Sequence, residues 1–174
     1  MYNIAIAIGH NFAKGTNGIP DKGAIGNGTT EADVTKKIVD AIILKGIPGF
    51  NITKVPEGLG INARNKWVND RADHLQAYFE FHLDSATPAA TGVTTFFVGG
   101  NTWAAGEATQ YQIEYTRVTG LKGRGVKSDT EDRWGRLGAI RDIKIFGLLM
   151  ELGFISNPDD LRAVQTRGVD AIIS

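Results

Sequence analysis

The chain contains no cysteine among its 174 residues. That removes disulfides, thiolate nucleophiles, iron–sulfur clusters and every cysteine-based zinc site. Any transition metal must therefore be held by histidine and carboxylate, and histidine is scarce too: only His10, His74 and His82 occur. Net charge is also missing, because 19 Lys+Arg balance 19 Asp+Glu. No broad field draws the protein to nucleic acid or to an anionic membrane, so no nucleic-acid partner is expected. No apolar run approaches the ~20 residues needed to cross a bilayer, so no membrane insertion is expected either. The start, Met1-Tyr2-Asn3-Ile4-Ala5-Ile6-Ala7-Ile8, lacks the basic flank and small-residue cleavage site of a signal peptide. It reads as a buried strand, and synthesis in the cytoplasm without a signal peptide is the expectation.

What is abundant is glycine, 22 residues, where average usage of ~7% would give about a dozen. Many tight turns or close backbone approaches are implied. The length suits one domain with a substantial core. Along the chain, Tyr2 to Ile8 reads as a strand and the Gly-rich stretch to Thr30 as a long loop, a kind of loop that is often functional. Thr29 or Thr30 caps a helix from Glu31 to about Leu44, with Ala32, Val34, Ile38, Val39, Ile42 and Ile43 at helical spacing. Phe50 to Val55 reads as a strand. Ala63 to Ala77 reads as a helix capped by Asn62, with Trp67, Val68, Ala72 and Leu75 on its stripe. Tyr78 to Leu83 and Gly92 to Val98 are strands, and Ala104 to Thr119 is a helix. Gly120 to Arg136 is rich in glycine and charge and reads as an exposed excursion. Ile143 to Leu152 holds a buried strand ending near Glu151, and Ser156-Asn157-Pro158 opens a helix toward Ile173. The expectation is an α/β single domain, a sheet of about six strands with helices on both faces.

Four residues stand out chemically. His10 lies just past the first strand, where an α/β sheet opens its crevice. Glu31 begins the first helix, a place that favours a carboxylate whether or not it binds anything. In Tyr78-Phe79-Glu80-Phe81-His82-Leu83 the alternation puts Glu80 and His82 on one face and the apolar residues on the other. Glu151 interrupts the apolar run 146–152, where an unpaired charge is expensive. Two histidines and a glutamate form a known zinc set with a position left for water, and a further carboxylate can act as base. For His82 the plain alternative is a satisfied core histidine, and for Glu31 a helix-start acid. His74 reads as solvated surface. Trp103 and Trp134 have the chemistry to stack on sugars, although loop aromatics more often pack locally.

The stretches Ile8-Gly9-His10, Asp21-Lys22-Gly23-Ala24-Ile25-Gly26 with Glu31, Phe81-His82-Leu83-Asp84-Ser85-Ala86, and Met150-Glu151-Leu152-Gly153-Phe154-Ile155-Ser156-Asn157 together resemble the zinc-dependent N-acetylmuramoyl-L-alanine amidases of bacterial autolysins and phage endolysins. The resemblance runs from about Ile4 to the carboxyl terminus. It implies a twisted mixed sheet, one catalytic Zn2+ held by His10, Glu31 and His82, and Glu151 as the catalytic glutamate. It further implies peptidoglycan as substrate, with hydrolysis of the amide between N-acetylmuramic acid and L-alanine at the bacterial cell wall. A monomer is expected, with residues 1–174 forming the catalytic domain and no wall-binding domain in this chain. Without a signal peptide, a phage or prophage lysin is favoured over an exported autolysin. Two departures are visible: Asn11-Phe12 stand where the family commonly has a glycine pair, and Leu83-Asp84 where Ala-Asn is common. The competing readings are a zinc peptidase acting on the stem peptide, a non-catalytic wall-binding module, and a dinucleotide binder, whose glycines here run in the wrong order, Gly23-x-x-Gly26-x-Gly28.

Overall fold

A computed structural model describes residues 1–15, 17–131 and 135–174. Strand β1 (Tyr2–Ile8) alternates large and small residues. Its isoleucines 4, 6 and 8 enter one core cluster while Ala5 and Ala7 enter another, the period-2 signature of a strand buried on both faces. After a loop containing the short strands β2 (Ile25–Gly26) and β3 (Thr29–Thr30), helix α1 (Glu31–Lys45) begins at Thr30, whose side chain accepts from the Asp33 N–H. There follow β4 (Phe50–Lys54), α2 (Ile61–Asn69), β5 (Ala77–Asp84), β6 (Val93–Phe97), α3 (Thr102–Thr119), β7 (Gly123–Ser128), α4 (Gly138–Arg141), β8 (Phe146–Phe154) and α5 (Pro158–Ile173).

Six of these strands form one sheet in the order β4-β1-β5-β8-β6-β7. It is mixed: β6 runs antiparallel to β8, and the other pairings are parallel. Buried residues of α1, α3 and α5 pack on one face with Phe79, Phe81 and Leu83. Val68 of α2 and Ala139 and Ile140 of α4 pack on the other, with Tyr78 and Leu149. The α/β domain with helices on both faces is therefore as the sequence suggests. The carboxyl ends of β1, β5 and β8 lie side by side, which is where such sheets open a binding crevice.

Two elements differ from expectation. The stretch read as an exposed excursion carries β7, which pairs in parallel with β6 through a bulge. Its side chains show no strand pattern because an edge strand is held by backbone hydrogen bonds that glycine and lysine make as well as valine does. The second helix starts at the Gly60 cap rather than at Asn62 and stops at Asn69. The Asn69 side chain bonds the backbone of Asp142 and Lys144, and the Gln76 N–H donates to the Asn3 carbonyl, drawing the chain into β5 at Ala77. Leu75 is buried all the same, from just past a turn rather than from a helix.

Candidate active site

His10 follows β1 after Gly9 and has a left-handed φ of 57°, and Asn11 (33°) and Phe12 (53°) are left-handed too. Left-handed backbone is costly for residues with a β-carbon and clusters at functional sites. Asn11 and Phe12 occupy the positions where the resembled family commonly carries glycine, which explains that preference. Here the conformation is held by the Asn11 side-chain amide donating to the Pro56 carbonyl (2.8 Å) and by the Gly58 N–H donating to the Asn11 carbonyl (2.7 Å).

Glu31, the first residue of α1, is 2% exposed. Its carboxylate accepts the Leu83 N–H (3.1 Å) and the Ala24 N–H (3.0 Å), and lies 2.7 Å from Nδ1 of His82 and 3.5 Å from Nε2 of His10. Burial pushes the Glu31 carboxyl up, but the hydrogen bond and charge of His82, the charge of His10 and the Ala24 N–H outweigh it and hold the group below its ordinary range. One donor atom from each of His10, Glu31 and His82 lies within 4.8 Å of the others. Two nitrogen donors and one carboxylate suit zinc. The backbone leaves room for this convergence only because glycine flanks it. A β-carbon on Gly23 would lie 2.4 Å from Oε2 of Glu31 and 2.5 Å from the His10 ring, and one on Gly9 would lie 2.6 Å from Nδ1 of His82.

Glu151 on β8 is the register partner of His82 on β5 and of Thr94 on β6. Neighbouring strands lie ~4.8 Å apart and register partners share a face, so Glu151 stands beside His82 and outside the group of three donors. All four predicted residues line one open cleft of about 720 Å³.

Around them are charged residues whose part was not recognised in the sequence. Asp21 lies 2.8 Å from Nδ1 of His10, and its other oxygen accepts the Gly23 N–H. Glu80, fully buried, lies 2.7 Å from Nε2 of His82 and 2.8 Å from the guanidinium of Arg64, itself 3% exposed. The Tyr78 hydroxyl also donates to Glu80. Burial pushes the Glu80 carboxyl up, but the Arg64 charge and the bonds from His82 and Tyr78 hold it below its ordinary value. The only signal for this network was the alternation that put Glu80 on the His82 face.

The remaining candidates lie elsewhere. His74 is exposed, in a turn, near Asp73. Trp103 packs against Phe146 at the far end of β8, with ring centroids 4.8 Å apart, which is local packing. Trp134 lies outside the described residues. Gly23 and Gly26, weighed above for a dinucleotide loop, instead make close approaches to Glu31 and to the Ile155 carbonyl.

A family model described as N-acetylmuramoyl-L-alanine amidase matches residues 4–173. An uncharacterized protein of Clostridium perfringens is 28% identical over 181 residues, covering 97% of this chain and 48% of that protein. The chain thus spans about half the length of the curated relative it matches. The fold is similar to the catalytic domain of CwlV, an N-acetylmuramoyl-L-alanine amidase from Bacillus (Paenibacillus) polymyxa var. colistinus, with TM-score 0.76 and 21% identity over 99% of this chain and 94% of that one. It is likewise similar to an N-acetylmuramoyl-L-alanine amidase from Clostridium difficile 630, with TM-score 0.77 and 18% identity over 99% and 92% of the two chains.

Proposed function

The chain belongs to the N-acetylmuramoyl-L-alanine amidase family, and from that membership we propose that it hydrolyses the amide joining the lactyl group of N-acetylmuramic acid to the L-alanine of the peptidoglycan stem peptide. The observation that supports this reading best is the convergence of His10, Glu31 and His82 within 4.8 Å, beside Glu151 on the next strand, in one open cleft. On this proposal His10, Glu31 and His82 hold a single zinc ion. Zinc bound there would supply Lewis acidity, acidifying water and polarising the scissile carbonyl.

The chain's own residues do the rest. Glu151 accepts a proton from the attacking water and returns it to the amine nitrogen as the carbon–nitrogen bond breaks, leaving a lactyl carboxylate and a free L-alanine amino group. Buried Glu31 keeps its charge through the hydrogen bond and charge of His82, the charge of His10 and the Ala24 N–H. Residues 1–174 then act as the catalytic domain, as a monomer, at the bacterial cell wall, in the lytic role of endolysins and autolysins.

The test is product analysis on purified walls. New L-alanine amino termini should appear in step with muramic lactyl carboxylates, and a chelator should stop both. Release of residues from the end of the stem peptide, with no new L-alanine terminus, would instead establish a stem-peptide peptidase.

A further inference from the structure

An ion pair inside a packed sheet face usually costs more in desolvation than it returns. Yet Arg64 and Glu80, 3% and 0% exposed, sit 2.8 Å apart between the apolar residues of that face. The stability of the sheet does not call for them. Where their geometry leads is to His82. Oxygen Oε1 of Glu80 is shared between the Arg64 guanidinium and Nε2 of His82, while Oε2 takes the Tyr78 hydroxyl. Arg64 is anchored in turn by donating to the Ile8 carbonyl at the end of β1 (3.4 Å). The other ring nitrogen of His82, Nδ1, is the one that faces Glu31.

We propose that Glu80, neutralised and oriented by Arg64, is a positioning residue for His82. It holds the imidazole in the tautomer with its proton on Nε2, so that Nδ1 is the lone pair offered to the metal. Because Nε2 of His82 is held against a fully buried carboxylate that is itself tied to Arg64 and Tyr78, both its rotation about the Cα–Cβ bond and its choice of nitrogen are settled before any ion arrives. This rests on the metal reading of His10, Glu31 and His82, but it concerns residues outside that set. A histidine ligand whose second nitrogen donates to a carboxylate is both better oriented and more basic, and losing such a partner typically weakens metal binding ~10–100-fold.

The experiment reads metal affinity and ring tautomer, not hydrolysis. In zinc-loaded protein labelled with 15N at histidine, the His82 ring should show a protonated Nε2 and a metal-shifted Nδ1. The reverse assignment overturns the proposal without any substitution. Zinc affinity is then measured by competition with a chelating dye for Glu80→Gln, which keeps an acceptor for Nε2–H, and for the triple replacement Tyr78→Phe, Glu80→Leu and Arg64→Met, which removes the whole network and strands no buried charge. The triple variant should fold at least as stably as the chelated parent and bind zinc about 10–100-fold more weakly, with Glu80→Gln between it and the parent. A folded triple variant with the parent's zinc affinity overturns the proposal while leaving the metal site intact. A parent chain that binds no zinc overturns the site and the proposal together.

Discussion

The two histidines of the site use one device in opposite settings. Each has one nitrogen toward Glu31 and the other toward a carboxylate, Asp21 for His10 and Glu80 for His82. On the His82 side the carboxylate is fully buried, mid-strand, and tied to Arg64 and Tyr78. On the His10 side the Asp21 side chain is 52% exposed, in a glycine-rich loop that leaves β1 through three left-handed residues. The site therefore has a fixed half built into the sheet and a half held by a loop. On the proposed zinc reading, the sheet would set where the metal sits and the loop would complete its coordination.

Removing each histidine probes that asymmetry most strongly. His82→Ala and His10→Ala should both cost more zinc affinity than the ~10–100-fold of an outer partner. Their effects on the chelated protein should differ: His82→Ala takes a donor from buried Glu80 and should cost roughly 1–3 kcal/mol, whereas His10→Ala should stay within about 1 kcal/mol. Equal losses in denaturant melts would break the comparison.

Within the loop, glycines separate backbone strain from site geometry. Gly23→Ala meets Glu31 and His10 at 2.4 and 2.5 Å and adopts φ 66°, so it should lower zinc affinity about tenfold or more as well as stability. Gly18→Ala, at φ 74° with nothing within 4 Å of its β-carbon, should cost only the ~1–2 kcal/mol of a left-handed residue and leave zinc affinity unchanged. Dye competition on both variants checks this. Asp21→Asn should be milder still, about tenfold or less in zinc affinity, because an exposed partner is replaceable by water. A loss as large as that of the buried network would erase the distinction between the halves.

The smallest effect belongs to the exposed ion cluster of Lys36, Asp40, Lys54 and Glu57, a surface counterpart to Arg64 and Glu80. Hydrogen bonds from Lys36 and Lys54 hold the Glu57 carboxyl below its ordinary value. For Asp40, burial pushes upward, but bonds from the same two lysines win. With folded pKa values depressed, their contribution is full above the unfolded value near ~4 and is lost as pH falls through the lower folded ones. Glu57→Gln should cost under about 1 kcal/mol at neutral pH, less in high salt, and should melt with the parent in strong acid.

How much of this was legible in sequence follows from where each interaction lies. His10, Glu31, His82 and Glu151 were readable as candidates because they lie in or near short blocks of distinctive sequence, and the strand alternation places Glu80 beside His82. Arg64 was not, since Asn62, Asn65 and Lys66 around it make that stretch look solvated, and only the packing of α2 on the sheet brings it to Glu80. β7 escaped because its pairing is a backbone property that Gly123, Arg124 and Gly125 do not advertise. The second helix was read too long because a stripe of Trp67, Val68, Ala72 and Leu75 continues through a turn. Helical spacing records which side chains face the core, not whether the backbone between them stays helical.

Whether three residues hold a metal and a fourth moves the proton is read from zinc content and wall hydrolysis measured together on Glu151→Ala, with His82→Ala alongside. Glu151→Ala should keep a full equivalent of zinc and lose turnover, while His82→Ala should lose both. Undiminished hydrolysis by Glu151→Ala, or a full equivalent of zinc in His82→Ala, would contradict that assignment.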